Sequence, residues 1–198
     1  MRANLEILPL TRERLPDLAE LFGQGGDPKW CWCSFYRVRG ATWQDASAVK
    51  NRAVLEAAVD EVEGRAPGLI AYRDRAPIGW VSLGPREDYE RLQHSKVLAP
   101  IDKRAVWSIV CFVVGRSDRG QGVAAALLDA AVDYAREHGA TLLEGYPVQT
   151  DGKRIPSANA YKGTLGMFER AGFTVAERRQ WNRTTPVRPI VRRAIRRR

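Results

Sequence analysis

The sequence predicts one α/β (α+β) domain, a mixed sheet with helices on its faces. Three observations carry this. The length of 198 residues suits one ordinary domain. Short apolar runs alternate with amphipathic stretches at helical spacing. The inferred order is strand, two helices, three strands, helix, strand, helix, two strands.

Each element has its own signal. Residues 4–9 (NLEILP) form the first strand. Leu15, Leu18, Ala19 and Phe22 share a helical face that Gly23 terminates. Residues 24–43 are irregular and rich in Gly, Trp and Cys. A second helix spans Ala46 to Val62, with Gly64 beyond its end. GLIAYRDRAPIGWVSLG then reads as a hairpin with a polar turn at Arg73 to Pro77. Pro85 to Lys103 is a charged loop with a short helix. Val106 to Val114 is nearly all apolar, as a strand buried on both faces should be. A strongly amphipathic helix follows from Gly122 to His138, stopped by Gly139. Thr141 to Val148 is the next strand. Ser157 is a candidate cap for a helix reaching Ala171. Strands over Thr174 to Gln180 and Pro189 to Ile195 complete the sheet.

Composition narrows the function classes. Hydrophobic residues at 44% and charged residues at 28% exclude a disordered chain. No apolar run approaches the roughly 20 residues of a membrane span. The opening MRANLEILPLTRERL lacks the apolar core of a secretory signal, and three cysteines cannot pair completely. A reducing cytoplasm is the expected compartment. The formal charge is +9, yet seven arginines fall within residues 183–198 and leave a nearly neutral body. The terminal RRAIRRR reads first as a solvated end. It would alternatively touch RNA, acidic lipid or an acidic partner.

Arg119-Gly120-Gln121-Gly122-Val123-Ala124 is the most informative stretch, lying between the most apolar strand and the amphipathic helix. Glycines admit close backbone approach, and a helix start offers unpaired N–H groups and a favourable dipole for phosphate. An ordinary tight strand-to-helix turn explains the hexapeptide equally well. There is no GxxxxGK[ST] and no early GxGxxG, so neither a nucleotide triphosphatase loop nor a dinucleotide fold is supported.

These residues resemble the acyl-CoA loop, R-x-x-G-x-G/A, of the GNAT superfamily of N-acetyltransferases. Val114 falls where that family often has the valine of V-x-P-x-x-R-G, with Arg116 replacing its proline. Met167 to Phe173 (MFERAGF) resembles the family's L-Y-E-K-x-G-F. With the element order, the resemblance spans essentially the whole chain. CWC, EGYPV and MFERAGF together look like a poorly characterised bacterial subgroup. It implies a mostly antiparallel sheet of about seven strands, splayed between the fourth and fifth. Residues 1–182 would form the acetyltransferase domain, and 183–198 its final strand and basic tail.

The resemblance also implies ligand roles. Acetyl-CoA would be the cosubstrate and an amine the acceptor, attacking directly in a ternary complex. The main chain of Phe112 and Val114 would bond the pantetheine arm, and the amides of Arg119 to Ala124, with Gly120, Gln121, Gly122 and Val123 between them, would hold the pyrophosphate. A backbone N–H near Phe112 or Val113 would meet the oxyanion.

Proton transfer needs a base and an acid. Many family members use a tyrosine where this chain has Phe168, which carries no proton to give. Tyr161 lies two helical turns earlier and would contact the cofactor, serve as the acid, or pack. Tyr146 is a second candidate, and direct uptake of the ammonium proton by the thiolate a third. Glu144 is the only acid in an otherwise apolar run and is the candidate base, unless it points outward on an alternating strand. In the aromatic segment, Trp30, Trp32 and Tyr36 would wall an acceptor pocket and Arg37 would anchor an anion; core packing is the plain alternative. No spacing supports a metal site or a Cys–His nucleophile. Two other classes stay open: a non-enzymatic acyl-CoA sensor, and a nucleic-acid-associated protein using the arginine tail. A monomer and a homodimer are both compatible with the sequence.

Overall fold

In the computed structural model, which describes residues 5–61, 63–150, 161–183 and 187–196, the chain begins with strand β1 (Glu6–Pro9) and helix α1 (Leu15–Gly23). Pro16 suits the first turn of α1, where its missing N–H costs nothing. The segment expected to be irregular contains a single helical turn, α2 (Pro28–Cys31). Helix α3 (Ala48–Asp60) starts two residues later than expected because Ser47 caps it, its hydroxyl accepting from the Lys50 N–H at 3.2 Å. Val62 lies outside the described residues.

Strands β2 (Gly68–Arg73) and β3 (Ala76–Pro85) form the expected hairpin, closed by Asp74 and Arg75, both left-handed. The charged loop carries α4 (Glu90–Gln93). Strand β4 (Trp107–Val114) is buried through Phe112, as its unbroken apolar run requires. Helix α5 (Val123–Glu137) follows the glycine turn and packs its apolar stripe on β2, β3 and β4.

Strand β5 (Leu142–Gly145) is shorter than the expected Thr141 to Val148. Pro147, just beyond it, has no N–H for a ladder. Gly145 lies directly under the Phe168 ring, where a Cβ would collide. Val148 is held only by a bridge to Thr164. Helix α6 (Leu165–Arg170) begins at Thr164, whose hydroxyl accepts from the Met167 N–H at 3.4 Å. Ser157, the expected cap, lies outside the described residues. Strands β6 (Thr174–Arg179) and β7 (Arg188–Ala194) complete the sheet.

The seven strands run in the order β1-β2-β3-β4-β5-β7-β6. Every pair is antiparallel except β4–β5, which is parallel. That pair is joined only from Trp107–Leu143 to Ile109–Gly145. Beyond Ile109 the two strands diverge, and the rest of β4 faces a gap. Two apolar layers cover the sheet: α5 and α6 pack on one face, around Leu127, Leu128 and Phe168. Leu18, Phe22, Trp80 and Tyr89 fill the other, under α1 and the aromatic segment. No described helix is long and apolar enough to cross a membrane.

The arginine-rich end is not simply solvated. Arg192 is buried, and Arg193 donates to the Ala171 carbonyl from β7.

Candidate active site

A cavity of about 940 Å³ opens where β4 leaves β5. One end is built from backbone. The turn residues Gly120 and Gly122 are left-handed, at φ +76° and +82°. A Cβ at either would meet nothing within 4 Å, so the main chain there is open to a ligand. The first turn of α5, Val123 to Ala125, adds N–H groups with no intrahelical partner. Asp118 holds the approach to this turn. It is ion-paired with Arg73 and accepts from the Ser117 hydroxyl at 2.7 Å. Arg119 donates to the Val114 carbonyl at 3.2 Å. Arg116 and Arg170 also line the cavity, cations to which the sequence reading gave no ligand role. Gln121 instead folds back onto the Ser117 carbonyl, at 2.7 Å.

The other end is aromatic. Trp30 and Trp43, Trp43 and Phe35, and Phe35 and Tyr36 meet edge-to-face, with ring centroids 4.9, 5.1 and 5.0 Å apart. Trp32 and Cys33 are both left-handed, at φ 46° and 50°. This reversal turns the Trp32 ring away from the cavity, edge-on to Phe22 at 5.4 Å. Arg37 is likewise part of the scaffold, lying 4.8 Å over the Tyr89 ring. Of the four expected acceptor residues, Trp30 and Tyr36 line the cavity and Trp32 and Arg37 do not.

Between the two ends, Tyr161 crosses the gap. Its carbonyl accepts from the Phe112 N–H at 2.5 Å, the donor expected to serve pantetheine. Its hydroxyl lies 3.5 Å from that of Tyr36. Burial raises both hydroxyls above the ordinary tyrosine range, so both stay protonated at neutral pH. The adjacent Lys162 is buried, with its ammonium near both rings. Burial, then Arg188, lowers it to about 7.

The thiols gather here too. Cys33 donates to Cys111 at 3.2 Å, and both line the cavity with Cys31. The hydrogen bond to Cys111 and burial hold the Cys33 thiol up, and the bond to Cys33 does the same for Cys31. Neither is poised as a thiolate nucleophile. His138 is engaged by the Tyr134 and Gly64 carbonyls, at 2.8 and 2.9 Å. No group of three metal-ligating side chains occurs among the described residues.

Glu144 and Tyr146 do not line the cavity. Glu144 is fully buried and ion-paired with both Arg86 and Arg192. Tyr146 donates to Glu144 at 2.7 Å and accepts from Arg86 at 2.6 Å. Ser108 lies 2.8 Å from the same hydroxyl, and Arg192 reaches Asp102 at 2.7 Å. Every lone acid in a strand needs such compensation when buried, and the partners come from distant segments. Phe168 is also fully buried, packed on Phe112 and Phe173.

A diverging parallel pair, a left-handed glycine turn at a helix start, and basic side chains at that end agree with the sequence resemblance. The model of the Acetyltransferase (GNAT) family matches residues 29–173. A GCN5-related N-acetyltransferase from Kribbella flavida is 14% identical, with a TM-score of 0.58 over 96% of this chain and 98% of that one. The ribosomal-protein-S18-alanine N-acetyltransferase from Escherichia coli is 13% identical, with a TM-score of 0.54 over 97% and 94%. A NatC complex bound to Gag peptide and CoA contains a chain 16% identical, with a TM-score of 0.53 over 97% and 99%. At these identities the likeness is one of fold. No curated protein matches at the sequence level. With nearly three quarters of its length matched by the family model, the chain belongs to the GNAT acetyltransferase family.

Proposed function

We propose that this protein transfers an acetyl group from acetyl-CoA to an amine in a ternary complex. The observation that carries the reading is one cavity shared by the open glycine turn, the end of β4 beyond Ile109 and the Tyr36–Tyr161 pair. Acetyl-CoA fits the turn end: a left-handed backbone cradle with room for phosphate, and Arg116, Arg119 and Arg170 to neutralise it. When bound there it supplies the activated acyl group.

The chain's own residues would do the rest. The amides from Arg119 to Ala124 bind the pyrophosphate, with the Gln121 side chain stabilising the turn rather than facing ligand. Val113 and Val114 offer main chain to the pantetheine arm. At Phe112 the N–H becomes available once the Tyr161 carbonyl gives way. Tyr161 is the general acid: its hydroxyl lines the cavity and is held protonated. Tyr36 lies beside it and orients it. Trp30 and Tyr36 contact the acceptor. Glu144 and Tyr146 hold β4, β5 and β7 together instead of moving protons. Cys33 and Cys111 are free thiols joined by a hydrogen bond, which suits a reducing cytoplasm.

Calorimetric titration with acetyl-CoA tests the first half, and mass detection of acetylated amine the second. Micromolar binding with an acetylated product is expected. Failure to bind at millimolar acetyl-CoA would overturn the proposal. Binding without turnover over a broad amine panel would return a non-enzymatic acyl-CoA sensor.

A further inference from the structure

Beyond Ile109, β4 runs on without β5. Which of its main-chain groups face the gap follows from the ladder on its other side. Gly115 donates to the Ile78 carbonyl of β3 at 2.9 Å, so the alternate residues Val114 and Phe112 turn their main chain away from β3. These are the groups an extended ligand in the gap would pair with. The protein's own groups already hold them. The Phe112 N–H donates to the Tyr161 carbonyl at 2.5 Å, and the Val114 carbonyl accepts from the Arg119 guanidinium at 3.2 Å. Phe112, Val114, Arg119 and Tyr161 all line the cavity.

The segment that covers Phe112 is fastened on its far side. Val148, just past β5, donates to the Gly163 carbonyl at 3.0 Å and accepts from the Leu165 N–H at 2.9 Å. Tyr161 to Leu165 thus forms a strap, tied to Val148 and meeting β4 through the Phe112 bond. Breaking that bond opens the gap while the strap keeps its hold on Val148. The closure has a physical reason, because a bare strand edge invites pairing with another chain. The Arg119 bond is the one that ligand chemistry addresses. An exposed guanidinium gains little from a neutral carbonyl in water, whereas a pyrophosphate offers it charged oxygens. The glycine turn that would seat the pyrophosphate begins at the residue after Arg119.

Resting on the acetyl-CoA reading above, we infer that the protein closes its own pantetheine groove and that the nucleotide end of the cofactor opens it. Pyrophosphate on the turn draws the Arg119 side chain off Val114. The freed carbonyl then takes an amide N–H of the pantetheine arm. A carbonyl of the arm replaces that of Tyr161 on Phe112, an exchange of like for like with little net gain. The two halves of the cofactor therefore bind cooperatively, and Arg119 sets the coupling. Its guanidinium acts in opposite directions on them: it attracts the nucleotide and opposes the arm when the arm comes alone.

The test measures acetyl-CoA binding first, then that of its two halves, S-acetylpantetheine and phosphoadenosine diphosphate, separately and together by amide NMR titration. Saturating nucleotide should tighten S-acetylpantetheine about tenfold. Arg119→Met should weaken the nucleotide about tenfold, tighten S-acetylpantetheine in its absence, and remove the coupling. A guanidinium that only touches phosphate would leave S-acetylpantetheine unaffected by the substitution, and one that only holds the turn would weaken both halves. Either result overturns the inference. So does independent binding of the halves to the parent protein, or no binding of S-acetylpantetheine beside the nucleotide. The Phe112 amide of the ligand-free protein should resist hydrogen exchange, and exchange at the rate of an unpaired amide would remove the strap from the account. Loss of acetyl-CoA binding itself would instead strike the reading beneath the inference.

Discussion

Two polar regions flank the parallel pair β4–β5 and are built on opposite principles. In the cluster around Glu144, charges are buried and closely matched. One carboxylate meets two guanidiniums and a phenol, and Arg86 also reaches the carbonyls of Leu92 and Leu98. In the cavity, charges line an open space: backbone N–H groups at the helix start and Arg116 and Arg170 at the wall, with Lys162 buried beside the Tyr36 and Tyr161 rings. The first region ties segments together that are far apart in sequence. The second holds groups with capacity to spare. The Glu144 carboxylate, with donors on both oxygens, is a structural tie even though the Arg86 Nε in that cluster is buried without a partner; a site is where partners are still wanted.

The contrast breaks most visibly at Glu144. Glu144→Ala leaves Arg86 and Arg192 buried without their shared partner, which should cost about 3–5 kcal/mol. Urea unfolding measures this. Acetyl-CoA affinity of the folded fraction should be unchanged, and a selective loss of turnover at intact stability would restore Glu144 as a base.

Gly122→Trp is the counterpart in the cavity. Its ring enters space that is open in the structure, at a left-handed position that side chains rarely adopt. Acetyl-CoA affinity in calorimetry should fall about a hundredfold or more, equivalent to about 2.7 kcal/mol. Equal binding by the variant would show that the turn does not hold phosphate.

Tyr161→Phe removes a hydroxyl and keeps the ring and the carbonyl bond to Phe112. We expect kcat to fall about a hundredfold with acetyl-CoA binding retained. A parallel rise in KM alone would make Tyr161 a packing residue.

The smallest effect concerns pH. Lys162 is lowered from its ordinary value near 10.5 to about 7 by burial, then by Arg188. Between these values the unfolded chain binds more protons than the folded one, so stability rises with pH across that window. Lys162→Met should flatten this rise in urea midpoints followed from neutral to alkaline pH.

The sequence by itself determined most of the elements and the glycine turn at one end of the cavity. Periodicity marks α5 and β4 because one stripe, or a whole strand, must leave water. The glycine turn is legible because left-handed backbone is a local requirement written in local residues. Motif order then pointed to the family, although Phe168 stands where the usual tyrosine would be.

Only the tertiary structure decided which polar side chains are spent. Glu144 reads as a lone acid in its strand, and its partners lie 58 and 48 residues away in sequence. Arg192 looked like part of a basic tail until β7 carried it beside β5. Two left-handed residues, Trp32 and Cys33, send adjacent side chains of the aromatic segment to different places. The Tyr36–Tyr161 pair joins residues 125 apart. Helix and turn formation depend on near neighbours, so sequence states them. Charge compensation and pocket closure depend on contacts across the sheet, so only the folded chain does.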